Sequence, residues 1–132
     1  MNLPRDEMAF RKQYQGLVLQ RKLTTIFRPG NRIYPNWRGY KPGEVVTLRV
    51  IEKVGDDAKK IPPTFNDIKL KIKIAEIQVK NIEELSQKDF IGSSEDVQDI
   101  TSLKQHLSHI YRKPISSYHK QLVTQITIAY LE

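Results

Sequence analysis

The sequence predicts an α+β fold in which a small curled β-sheet or barrel carries an N-terminal helix and has two helices before its last strand. Three observations predict it. Apolar residues alternate with period two in residues 44–54, 67–80 and 122–131, they recur with helical period in 10–20 and 97–112, and the longest alternating run changes parity part-way along. The 132 residues are the length of one ordinary domain, so residues 1–132 are expected to share a single core.

The first element is helical by its spacing. Phe10, Tyr14, Leu17 and Val18 recur at helical intervals behind Pro4 and the acidic pair Asp6 and Glu7, which predicts a helix ending near Gln20. LTTIF, residues 23–27, is β-branched and aromatic and predicts a short strand. Pro42-Gly43 marks a turn, after which Val46, Leu48 and Val50 share one face of a second strand. Residues 55–66 gather Gly, Asp, Lys and Pro and read as an exposed connection.

DIKLKIKIAEIQVK then alternates Ile68, Leu70, Ile72 and Ile74 with Lys69, Lys71 and Lys73. Ile77 and Val79 fall out of step with Ile74. A bulge at Ala75-Glu76 restores a continuous apolar face, and bulges of this kind are how a small sheet bends toward a barrel. Asn81 and Glu84 have the spacing of a capping box at the start of a short helix, with Gly92 as its stop. Val97, Ile100, Leu103 and Leu107 predict a longer helix over about residues 97–112. LVTQITIAYL closes the chain as a strand expected to pair non-locally with the first one.

The charge is one-sided. The net charge is +7, with 13 Lys or Arg against 6 Asp or Glu in residues 1–60 and 9 against 9 in the remainder. A cationic field confined to one half suits phosphate backbones, acidic proteins or anionic surfaces. Residues 28–41 concentrate it: Arg28, Arg32, Arg38 and Lys41 stand among Tyr34, Trp37 and Tyr40 without one carboxylate. Arginine grips phosphate bidentately, and planar rings offer stacking faces to unpaired bases.

Other chemistry is excluded or disfavoured. There is no cysteine, hence no disulfide, thiolate metal site or cysteine nucleophile, which fits a reducing, cytoplasmic location. Charges interrupt the start of the chain, and no run approaches the ~18 apolar residues that span a bilayer, so no membrane partner is expected. His106 and His109 sit three apart on the predicted helix with no carboxylate in a ligand-like pattern, and are expected on a solvated face. No metal or cofactor is expected.

The series RKLTTIFR at 21–28, followed about a dozen residues later by KPGEVVTLRV, resembles the ASCH domain, a PUA-like β-barrel fold. The resemblance continues through KIKIAEIQVKNIEELSQKDF, SLKQHLSHIYRK and LVTQITIAYL, and so covers most of the chain from about residue 10. It implies a site that includes Lys22 and Thr25. Some members resemble an amidohydrolase that removes the acetyl group of acetylcytidine, using such a Lys and Thr with a glutamate on a later strand. In this chain the resemblance sets Lys73 where that glutamate is expected, with Glu76 three positions further on.

The expected function is therefore RNA binding, or binding of another nucleotide-containing ligand, in a cleft lined by the first strand and the basic-aromatic loop. Lys22, Arg28, Arg32 and Arg38 are the expected phosphate contacts, Thr25 a polar contact on the cleft floor, and Trp37 or Tyr40 a stacking surface. One alternative is a small amidohydrolase with Lys22 and Thr25 as its chemical pair. Another is an adaptor whose basic patch meets an acidic protein.

Overall fold

The computed structural model describes residues 6–36, 39–56 and 58–131. Its strands are β1 (Glu7–Arg11), β2 (Thr25–Pro29), β3 (Val45–Lys53), β4 (Thr64–Asn81) and β5 (Leu122–Tyr130), and its helices are α1 (Gln15–Leu19) and α2 (Ile100–Tyr111). The strands form one five-stranded sheet in the order β1-β3-β4-β5-β2, curled into a half-barrel. The expected α+β class and curled sheet are what the chain adopts.

The long central strand does most of the curling. β4 pairs antiparallel with β3 on one side and β5 on the other, and its register against β5 slips between Ile74 and Glu76. Ala75 is the extra residue, at the place where the apolar parity changes, so Ile72 and Ile74 before the bulge and Ile77 after it all reach the same core. Lys69, Lys71 and Lys73 are exposed, as the alternation requires. β5 returns antiparallel to β2, with Ile26 opposite Ile126, which is the expected pairing of the first predicted strand with the last.

Each face of the sheet buries its own core. Inside the curl, Phe10, Val18, Leu48, Ile72, Ile74 and Ile126 pack together. On the outer face, Phe27 and Val123 meet Ile82, Phe90, Leu103 and Leu107 from the layer that α2 dominates. Full burial of an aliphatic or aromatic side chain stabilises by about 1.5–3 kcal/mol, so the outer layer is integral to the fold.

Two helical expectations are corrected. Residues 7–11 form a strand, parallel to Thr47–Ile51 of β3, and only Gln15–Leu19 of the expected N-terminal helix is α-helical. Met8 and Phe10 are buried in alternation, a period-two pattern that a five-residue run shares with half of a helical stripe. The expected short helix after Asn81 is instead two 3₁₀ turns, Ile82–Glu84 and Gln87–Phe90, each opened by a capping box, Asn81 with Glu84 and Ser86 with Asp89. Gly92 follows with φ of +85°, the left-handed stop that glycine supplies. No helix among the described residues is long and apolar enough to cross a membrane.

A candidate anion-binding cleft

The two outermost strands, β1 and β2, face each other across a cleft of about 1270 Å³. Residues of β1, β2, the 30–40 loop, the β3–β4 connection and α2 line it. Among the described residues, five of those lining it are arginines, Arg11, Arg28, Arg32, Arg49 and Arg112, against two carboxylates, Glu7 and Asp56. Such a cleft attracts anions by focusing a positive field between low-dielectric walls.

Local structure holds three of these arginines. Arg28 reaches across the gap from β2, its Nη2 donating to the Ala9 carbonyl at 3.1 Å and its guanidinium lying 5.7 Å from the Phe10 ring centre. Arg32 is 6% exposed; its Nε donates to the Pro29 carbonyl at 3.0 Å and its guanidinium stacks 5.7 Å from the Tyr111 ring. Arg49 pairs with Glu7 at 3.3 Å and lies 5.0 Å from the Phe65 ring. Stacked, pre-oriented guanidiniums lose little freedom on meeting an anion.

The mouth of the loop is tied down by one buried hydroxyl. Thr124 Oγ1 accepts from the Arg32 N–H at 2.8 Å and donates to the Gly30 carbonyl at 2.7 Å. Thr124→Val keeps the shape and leaves both backbone groups without that partner, which is expected to cost about 1–3 kcal/mol in urea unfolding. Tyr40 acts as an anchor, donating its hydroxyl to the Glu7 carbonyl at 2.9 Å while its ring packs on the inner core. Tyr34 is exposed beneath the Lys41 ammonium, 4.5 Å from the ring centre. Trp37 and Arg38 lie outside the described residues.

Thr25, Arg28, Arg32 and Tyr40 thus line one cleft, whereas Lys22 is exposed and is not among its lining residues. Thr25 is buried, and its hydroxyl donates to the Ile91 carbonyl at 2.7 Å. Glu76, not Lys73, shares a row with it: Thr25 lies opposite Thr127, and Thr127 lies opposite Glu76. Glu76 is exposed and accepts from Gln78 Nε2 at 2.7 Å.

His106 departs from expectation. It turns into the cleft wall instead of solvent, with its Nδ1 at 3.1 Å from the Tyr14 hydroxyl and 3.6 Å from Asp96. Tyr14 in turn donates to Asp96 at 2.8 Å, and Ser94 donates to the other carboxylate oxygen. Burial, with its hydrogen bond to Asp96, pushes the Tyr14 hydroxyl above the usual tyrosine value. Burial alone would raise the Asp96 carboxyl, but hydrogen bonds from Ser94 and Tyr14 outweigh it and hold the group below the usual range. For His106, burial and the charges of Arg28, Arg11 and His109 outweigh the pull of Asp96 and keep the ring below the ordinary histidine value.

The spacing carried a signal for this turn inward. His106 stands three residues after Leu103 and beside Leu107, at the edge of the apolar stripe. Arg11 and Arg49, also outside the expected set, belong to the cationic first half of the chain. Among the described residues no group of three or more His, Cys, Asp or Glu is placed to hold a metal ion.

No family model and no curated protein matches the chain. Two solved structures are similar in fold. The hypothetical protein PH0355 aligns with a TM-score of 0.55 at 18% identity, over 95% of this chain and 97% of its own. Protein EF3133 from Enterococcus faecalis V583, of the DUF984 family, aligns with a TM-score of 0.53 at 9% identity, over 90% of this chain and 70% of its own. At these identities the likeness establishes architecture alone, a curled sheet consistent with a small PUA-like fold.

Proposed function

We propose that this chain is an ASCH-type, PUA-like domain of the cytoplasm that binds single-stranded RNA through its phosphates in the cleft between β1 and β2. The observation that carries this reading is the lining, among the described residues, of five arginines against two carboxylates in a cleft of about 1270 Å³. Arg11 and Arg28 meet the phosphates first, Arg32 and Arg49 hold the walls positive, and Tyr34, exposed and among the lining residues, offers a stacking face. Unpaired RNA is recognised by this combination of cationic groove and ring faces.

The amidohydrolase alternative has less support, because the Thr25 hydroxyl is already committed to Ile91 and Lys22 lies outside the cleft. The test is a titration of the fluorescence of Trp37, the single tryptophan, with a short single-stranded RNA over a range of salt. Log affinity is expected to fall with log salt at about 0.7 per phosphate held, a slope of roughly 2–3 for three or four contacts. Binding that ignores salt would discard the phosphate reading, and binding of acidic protein but not RNA would favour the adaptor.

A further inference from the structure

We propose that Arg11, Arg28 and His106 form a subsite for a terminal, doubly charged phosphate, and that His106 takes up a proton when that phosphate arrives. This inference rests on the phosphate-binding reading of the cleft.

The hydrogen-bond network assigns the imidazole tautomer. Tyr14 has one hydroxyl proton, and directing it to Asp96 at 2.8 Å leaves its oxygen as an acceptor for the His106 Nδ1–H at 3.1 Å. Nε2 then carries the lone pair, on a ring that lines the cleft. The groups that act on this ring are Tyr14 from the turn after β1 and Asp96 from the segment before α2, both in contact with it, and the nearby charges of Arg11 from β1, Arg28 from β2 and His109 on α2 itself. Three of these five repel a proton on His106 or can do so, and only Asp96 favours it.

An arriving anion reverses that balance. It neutralises Arg11 and Arg28 and gives a protonated Nε2 an acceptor, while Asp96 remains ionised behind the ring to support the imidazolium. The charge count selects the ligand. An internal phosphodiester carries a single negative charge, which one or two arginines satisfy, whereas a terminal phosphate approaches two near neutral pH and suits three converging cations. The RNA bound in the cleft is accordingly read as one presenting a strand end.

Calorimetry with sulfate, whose charge does not change across the range, separates protein from ligand protonation. In two buffers of different ionisation enthalpy near pH 7, the wild-type chain is expected to take up protons on binding sulfate, with affinity falling toward about pH 8. His106→Gln is expected to bind sulfate without uptake. The His106 ring resonances of the wild type, followed by NMR with and without sulfate, give the same answer should that variant not fold: their titration midpoint should rise when sulfate is present.

A 5′-phosphorylated tetranucleotide should bind about tenfold more tightly than its 5′-hydroxyl counterpart near pH 6, the increment of one added charge-assisted hydrogen bond. The gap should narrow near pH 8 and vanish in His106→Gln. Equal binding of the two, or undiminished uptake in the variant, overturns the subsite while salt-dependent RNA binding preserves the cleft reading. Binding of neither sulfate nor RNA takes both down. Adenosine monophosphate binding as tightly as the phosphorylated tetranucleotide supports the subsite and identifies a free nucleotide as its source.

Discussion

Replacing Arg11 and Arg28 together by Gln is expected to weaken single-stranded RNA binding by about a hundredfold or more, since hydrogen bonds to charged groups contribute about 1.5–3 kcal/mol each. The salt dependence should fall with it, by about 1.4 in slope, because two phosphate charges would no longer be neutralised. The two readouts separate charge from folding: a distorted variant loses affinity, but only loss of phosphate contacts lowers the slope. Weakened binding at an unchanged slope would place the phosphate contacts elsewhere on the protein.

Gly92→Ala is expected to destabilise the fold by about 2–4 kcal/mol, a fall of roughly 10 °C in melting temperature. Two penalties combine. The residue has φ of +85°, where an L side chain is strained, and an added Cβ would stand 2.2 Å from Thr24 Oγ1. Retreat is blocked because the Gly92 carbonyl accepts from both the Thr24 and Thr25 N–H groups, at 2.9 and 3.1 Å, which fastens the segment before α2 to the start of β2. Thr24→Ala removes the clashing hydroxyl, so the double variant should be more stable than the sum of the single losses predicts. Strict additivity would show that backbone strain accounts for the whole effect.

Much of this arrangement was legible because it depends on local pattern. The alternation of residues 67–80, its change of parity and the closing strand are all visible in which residues are apolar, and Ala75 sits where the parity argument requires it. β1 was not legible in that way. Phe10 and Val18 satisfy a helical period, while the pairing of Phe10 with Val50 that makes residues 7–11 a strand spans 40 positions. The charge excess pointed to the half of the chain that supplies Arg11, Arg28, Arg32 and Arg49 to the cleft, but which arginines line it together is a property of two sheet edges meeting. His106 was misplaced for a related reason: its partners, Tyr14 and Asp96, lie 92 residues before it and on a separate segment before α2. Spacing along the helix itself shows neither.

The opposition of β1 and β2 also bears on how the sheet guards its outer edges. Unpaired strand edges invite pairing with another chain, and proteins guard them by shortness, proline, charge or cover. Both edge strands here have five residues, β2 ends in Pro29, and the guanidinium of Arg28 occupies the gap between them. The half-barrel therefore shelters its own edges without completing a ladder. The positive charge proposed to draw a phosphate into the opening is the same charge that would turn a stray strand away, so losing Arg28 is expected to remove the proposed ligand contact and a guard against self-association together.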